Sequence, residues 1–175
     1  MQNQFPELSA VAKGIPVTVL HTGQKFLIGN AEFEILYTTE DLYPQPFDLF
    51  NDASFVFRVR ANGNSVLFTG DIADRASNVL CDMYGSYLKS DIVQVSHHGW
   101  NGATLEFYQT VDPDVAMWPN SKSEYDACLK KAGGFGDIDR TLVNGIVGTK
   151  NVYVADTYCY QFVFPFGGTP TRFTI

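Results

Sequence analysis

The sequence predicts an α/β domain, a mixed β-sheet with helices packed on one face. Three observations carry this expectation. Two apolar, β-branched-rich runs, 65–69 and 91–96, have the composition of buried parallel strands. The stretch between them, 73–88, is long enough for the crossover helix that parallel strands require. Upstream and downstream, alternating runs are punctuated by turn residues, among them Asn62-Gly63 between two apolar segments, a strong hairpin signal.

Taken in order, residues 6–14 read as a short helix. Pro6 suits its first turn, Glu7 and Lys13 complement its two ends, and Gly14 stops it. Residues 17–20 alternate as a strand, with His21 at its end matching no ligand position. A hairpin follows, 25–28 and 32–37 across Gly29-Asn30, with Phe33 and Ile35 on one side and Glu32 and Glu34 on the other. Residues 38–50 form a loop containing Pro44 and Pro46. In 54–60, Phe55, Phe57 and Val59 alternate with Val56, Arg58 and Arg60. The strand 65–69 leads into a helix over 73–87, with Val79, Leu80, Met83, Tyr84 and Leu88 on one face.

After the strand 91–96, a helix over 104–111 turns Leu105, Tyr108 and Val111 inward, and Pro113 stops it. Residues 114–118 are another buried strand. Ser121-Lys122-Ser123-Glu124 is a capping box opening a helix that runs to about Lys131. Gly133-Gly134-Phe135-Gly136 breaks the chain before a short helix at 138–146. Two last strands, 151–155 and 158–164, close the sheet.

At 175 residues a single domain, 1–175, is expected. The chain is 45% hydrophobic with 14 Phe and 9 Tyr, ample for a packed core. Its net charge of -7 and pI near 4.8 argue against strong nucleic-acid binding, which needs basic patches. Cys81, Cys128 and Cys159 are odd in number and lack CxxC spacing. They read as reduced thiols, and so as a cytoplasmic or otherwise reducing compartment. The first 14 residues have neither the basic start nor the apolar core of a signal peptide. No run approaches the ~18 apolar residues of a membrane span.

The chemistry-bearing residues sit where both central strands end. Asp71 follows the first, and His97 and His98 follow the second. Ligands bind at the carboxyl ends of strands in such sheets. If the two strands are neighbours, a carboxylate and an imidazole converge. From the residues alone Asp71 reads equally as an N-cap of the next helix. An extended backbone through His97-His98 would point the two rings in opposite directions, leaving open which is the ligand. Asp74, Asp82 and Asp91 read as helix-cap, surface or strand-start residues. Ser96 has no base and orienting partner to make it a nucleophile.

Thr69-Gly70-Asp71 followed by His97-His98-Gly99 resembles the metallo-β-lactamase superfamily, in particular the hydrolase domain of ComEC/Rec2-type DNA-uptake proteins. The likeness covers residues 14–164, with Asn51-Asp52-Ala53-Ser54 resembling the family's segment before its hairpin. The resemblance implies that Asp71 bridges two metals and that His97 binds one. It also implies that His98 acts beside them or faces substrate, and it brings Asn51 and Ser54 to the rim as substrate-binding groups. Zinc or manganese is the implied cofactor.

The family's His-x-His-x-Asp-His motif is absent: the three His are His21, His97 and His98. The chain therefore resembles the C-terminal half of a metallo-β-lactamase αββα sandwich. That implies a metal-dependent hydrolase of phosphodiesters or related esters, present as an incomplete half-site and inactive alone. The missing N-terminal half, or a second copy in a homodimer, would complete it. The alternatives are a non-catalytic interaction module and one chain of a split hydrolase. An apolar sheet face left bare by the missing half would suit any of these partners.

Overall fold

Asn62 and Gly63 both adopt positive φ, 49° and 83°, and form the two-residue turn that their sequence predicts. They join β3 (Val56–Ala61) to β4 (Asn64–Phe68) in a computed structural model that describes residues 13–14, 16–41, 50–156 and 158–174. The hairpin β1 (Lys25–Ile28) and β2 (Ala31–Tyr37) lies beside it, β2 antiparallel to β3. From β4 onward the sheet is parallel: β5 (Ile92–Gln94), β6 (Val115–Trp118) and β7 (Val152–Val154) add in turn. The result is one seven-stranded mixed sheet in sequence order, β1 to β7.

Among the described residues four α-helices cover one face: α1 (Asp74–Tyr84), α2 (Leu105–Val111), α3 (Lys122–Lys130) and α4 (Gly134–Thr141). A single cluster of buried side chains fills this layer, including Leu36, Val56, Leu67, Val93 and Trp118 from the sheet and Leu80, Phe107 and Leu142 from the helical side. β4 and β5 are parallel neighbours, with Val66 opposite Ile92 and Leu67 opposite Val93. The strands that end in Asp71 and in His97-His98 are thus adjacent, and α1 is their crossover. Of the predicted capping box the Ser121 half forms, its Oγ accepting from Glu124 N at 3.2 Å, while Ser121 N donates to Asn120 Oδ1 at 2.8 Å instead of to the Glu124 side chain.

Several expectations are corrected. Residues 17–20 join no strand, and Val17 and Val19 stay 44% and 70% exposed. Alternation supplies a strand's pattern but not its partner. On α1 the buried positions are Ala76, Ser77 and Leu80, while Met83 is 47% exposed. The helix gives way to a 3-10 turn, Gly85–Leu88, which shifts the inward face and buries Leu88. On α2 it is Phe107, rather than Leu105, that joins Tyr108 and Val111 in the core.

The glycine-rich stretch breaks the chain only at Gly133. Gly134 and Gly136 lie inside α4, which starts earlier than predicted. A Cβ at Gly136 would come within 2.8 Å of the Lys131 carbonyl carbon, so glycine there permits the two helices' close approach. β8 (Tyr158–Gln161) does not close the sheet. It pairs with β9 (Thr171–Thr174), a strand the sequence does not announce, in a separate two-stranded ribbon. The segment between β8 and β9 packs on the face opposite the helices, where Phe162, Phe164 and Phe166 meet Val66, Ile92 and Val115. The expected helix at 6–14 and most of the 38–50 loop lie outside the described residues.

Candidate metal-binding and active site

The site forms at the carboxyl ends of β4 and β5, where two tight turns meet. Gly70, at φ +57°, carries the first. A Cβ there would approach Ser54 Cβ to 2.9 Å, and the Ser54 hydroxyl accepts from Asp71 N at 2.9 Å. Ser54 therefore braces the backbone of the Asp71 turn. In the second turn the backbone is not extended: His97 (φ 47°) and His98 (φ 57°) are both left-handed. Such conformations in non-glycine residues cost of order 1–3 kcal/mol and persist only where the surroundings hold them.

The holding contacts are specific. His97 N donates to Gly70 O at 3.1 Å, stitching the two turns together. The Trp118 indole N–H donates to His98 O at 2.9 Å, and Asn120 Nδ2 reaches the same oxygen at 3.3 Å. Ser96 N donates to the Tyr108 hydroxyl at 3.0 Å, and burial pushes that phenol well above its ordinary range, so it stays neutral. Gly99, at φ +85°, presses against Trp118, where a Cβ would come within 2.8 Å of Cε2.

These turns bring Asp71 and His98 together: Asp71 Oδ1 lies 3.6 Å from His98 Nε2, both side chains roughly half exposed. His98 Nδ1 is 2.7 Å from the Pro119 carbonyl oxygen. A carbonyl only accepts, so Nδ1 carries the proton in that contact. The outer hydrogen bond of an imidazole is what fixes its tautomer and ring orientation in metal sites. His97 sits next to it, ring centroids 6.4 Å apart, with Asn51 Nδ2 at 3.5 Å from its Nδ1. All five residues singled out in the sequence (Asn51, Ser54, Asp71, His97 and His98) thus fall at one end of the sheet. His21 is elsewhere, paired with Glu40 at 2.8 Å.

Asp71 is not the cap of α1. Asp52, 2% exposed, takes that role from another segment: its Oδ1 accepts from Ala73 N at 2.7 Å and Ala76 N at 3.2 Å. That leaves the Asp71 carboxylate free to face His98. The sequence analysis assigned Asp52 no role, although it lies within the quoted Asn51-Asp52-Ala53-Ser54 segment. Nothing in the sequence marks Pro119 or Trp118 as supports for His98.

The donors Asp71, His98 and His97 are of the right chemical kind for a zinc- or manganese-type site. Their number is short: among the described residues no three His, Cys, Asp or Glu side chains converge as a metal-holding group. Zinc normally takes three protein ligands even in catalytic sites.

No family model matches the chain. Among curated proteins it is 26% identical over 110 residues to ComE operon protein 3 of Bacillus subtilis (strain 168), covering 62% of this chain and 14% of that protein. It is 35% identical over 68 residues to the competence protein ComA of Neisseria gonorrhoeae, covering 38% of this chain and 10% of that one. The chain therefore spans between a tenth and a seventh of these relatives' lengths. The metallo-β-lactamase fold protein YhfI of Bacillus subtilis aligns in structure with a TM-score of 0.46 at 9% identity, covering 89% of this chain and 54% of that chain. Among the described residues no helix is long and apolar enough to cross a membrane. With its Thr69-Gly70-Asp71 and His97-His98-Gly99 turns adjacent on one mixed sheet, the chain is similar over part of its length to ComE operon protein 3 and to the competence protein ComA.

Proposed function

We propose that this chain contributes one half of the site of a metal-dependent hydrolase acting on phosphodiesters or related esters. Asp71 and the His97–His98 pair are its metal-ligating and catalytic residues, with Asn51 and Ser54 at the rim. One observation carries the reading. With Nδ1 committed to Pro119 O, His98 presents Nε2 to the Asp71 carboxylate 3.6 Å away. Two electron-pair donors facing one gap are repulsive unless a proton or a cation lies between them. His98 is thus the imidazole paired with Asp71, with His97 beside it.

A bound zinc or manganese ion would supply a hydroxide at neutral pH by lowering the pKa of its water. The protein's own part is orientation: Trp118, Asn120 and Pro119 fix His98, and Ser54 and Gly70 fix the Asp71 turn. The donor shortage makes binding weak for this chain alone, so the remaining ligands come from a partner segment, a second copy or the half that carries His-x-His-x-Asp-His. The test is the metal content of the purified chain, wild type against Asp71→Ala and His98→Ala, together with hydrolysis of bis(4-nitrophenyl) phosphate. Bound metal that falls in both variants supports the reading. Equal metal in all three proteins, or none under any condition that restores the missing half, rejects it.

A second reading, an interaction module, draws on a different observation. On the sheet face opposite the helices, Phe26, Phe33, Phe57 and Phe68 form a stacked row across four strands, with successive centroids 5.1, 6.3 and 4.8 Å apart. Phe55 beside it is 38% exposed. Such a row suits a second sheet packed face to face. A homodimer or a complex with the other half is the expected state. Light scattering that gives a monomer at all concentrations, with or without that half, would count against it.

A further inference from the structure

We propose that the cavity between the sheet and the β8–β9 ribbon is a binding pocket for a flat, uncharged aromatic group carried on the ester substrate. This rests on the hydrolase reading for its reacting centre, but it concerns a different part of the molecule. The cavity has a volume of about 490 Å³, within the roughly 300–1,000 Å³ range of small-molecule sites. Phe68, Met117, Tyr153, Tyr160 and Phe162 line it, and His98 and Gln94 form its polar side. Gln94 Nε2 donates to Gly70 O at 3.3 Å, in the turn that carries Asp71. The pocket and the Asp71–His98 pair therefore share a wall.

The chemistry of the wall selects the occupant. No Asp, Glu, Lys or Arg is among the lining residues, so an anionic phosphate or carboxylate has no partner inside and stays at the His98 end. The aromatic walls stand edge-on to one another: Tyr153 meets Tyr160 at 5.2 Å and 63°, and Phe162 at 5.4 Å and 89°. Rings at these angles offer both faces and edges to an inserted ring, the arrangements aromatic pairs favour. Met117 on the floor supplies an adaptable thioether contact. The ribbon that roofs the cavity is the part of the chain that leaves the main sheet, which gives its departure a use.

The experiment compares binding of 1-naphthyl phosphate and methyl phosphate to the full chain by calorimetry. The expected result is at least tenfold tighter binding of the naphthyl compound, abolished in Met117→Trp, which fills the cavity. Tyr160→Ala, on the partly exposed ribbon, guards against misfolding of the first variant and should cut the preference several-fold. Equal binding of the two phosphates, or a preference that survives both substitutions, overturns the pocket. Hydrolysis of bis(4-nitrophenyl) phosphate is scored separately. A naphthyl preference without turnover even when the remaining metal ligands are supplied by the other half leaves the pocket standing and sinks the hydrolase reading, whereas turnover under that condition without the preference does the reverse.

Discussion

Glu34→Gln tests the most heavily committed polar cluster in the molecule. Glu34 on β2 lies opposite Arg58 on β3. Arg58 is fully buried and donates to Glu34 Oε2 through Nε (3.2 Å) and Nη2 (2.7 Å), while its Nη1 reaches the carbonyls of Tyr87 and Lys89. Arg60, Tyr87 and Lys25 complete the shell around the same carboxylate, at 2.6, 2.6 and 3.0 Å. Burial by itself would raise the Glu34 carboxyl, but the hydrogen bonds from Tyr87, Arg58, Lys25 and Arg60 outweigh it and hold the group at about 2, against an ordinary 4.5. At about 1.4 kcal/mol per pH unit that corresponds to about 3 kcal/mol.

Losing one partner of a buried ion pair costs about 3–5 kcal/mol, so two independent routes agree. The sign follows from the depressed value. The contribution is complete above pH 4.5 and is lost as pH falls toward 2. By linkage about 2 of the about 3 kcal/mol is gone at pH 3. Urea unfolding at pH 7 should therefore put the variant about 3 kcal/mol below wild type, and at pH 3 only about 1 kcal/mol below. A gap under 1 kcal/mol at pH 7, or an equal gap at both pH values, would refute the reasoning.

The remaining predictions concern the supports of the site and a second buried carboxyl. Asp52→Ala strips the acceptor from two α1 amide groups in a buried place, and should cost about 1–3 kcal/mol in chemical denaturation. Gly99→Ala forces a side chain into Trp118 at a left-handed φ. It should cost about 1–3 kcal/mol and alter the near-ultraviolet dichroism of Trp118, whereas an unchanged spectrum would sink the close-packing argument.

Asp139, 5% exposed, has an Oδ2 without a hydrogen-bond partner, and burial raises its carboxyl to about 7 despite the opposing charges of Lys131 and Arg140. A raised carboxyl favours folding below its ordinary 3.8 and loses that advantage as pH climbs to 7. Asp139→Asn should flatten this dependence and make the variant the more stable protein at pH 8 by up to about 4 kcal/mol. Parallel stability curves for the two proteins between pH 4 and 8 would contradict it.

The sequence by itself determined those features in which neighbours along the chain set the answer. Asn62-Gly63 demands two positive φ angles and so fixes the β3–β4 hairpin. Period-two alternation in 54–60 divided Phe57 and Val59 from Val56, Arg58 and Arg60, and the structure keeps that division. Ser121 caps a helix by accepting from the backbone N–H of Glu124, three residues on. The two apolar strands and the helix between them would bring Asp71 beside the His pair on the condition that the strands are neighbours, which a right-handed crossover favours and the sheet fulfils.

Tertiary structure decided whatever depends on groups distant in the chain. The backbone at His97 and His98 is bent because Gly70, Trp118 and Asn120 hold it, so the ring directions were not legible locally. Asp52 caps α1 across 21 residues, which is why Asp71 is free of that role. Residues 17–20 had a strand's pattern without a partner, and β8 had a partner, β9, that was not legible from its own residues. Arg58 looked like one polar position in an alternating strand. Only the fold shows it fully buried, because the carboxylate and carbonyls that make a charge tolerable inside a protein come from β2 and from the 3-10 turn after α1.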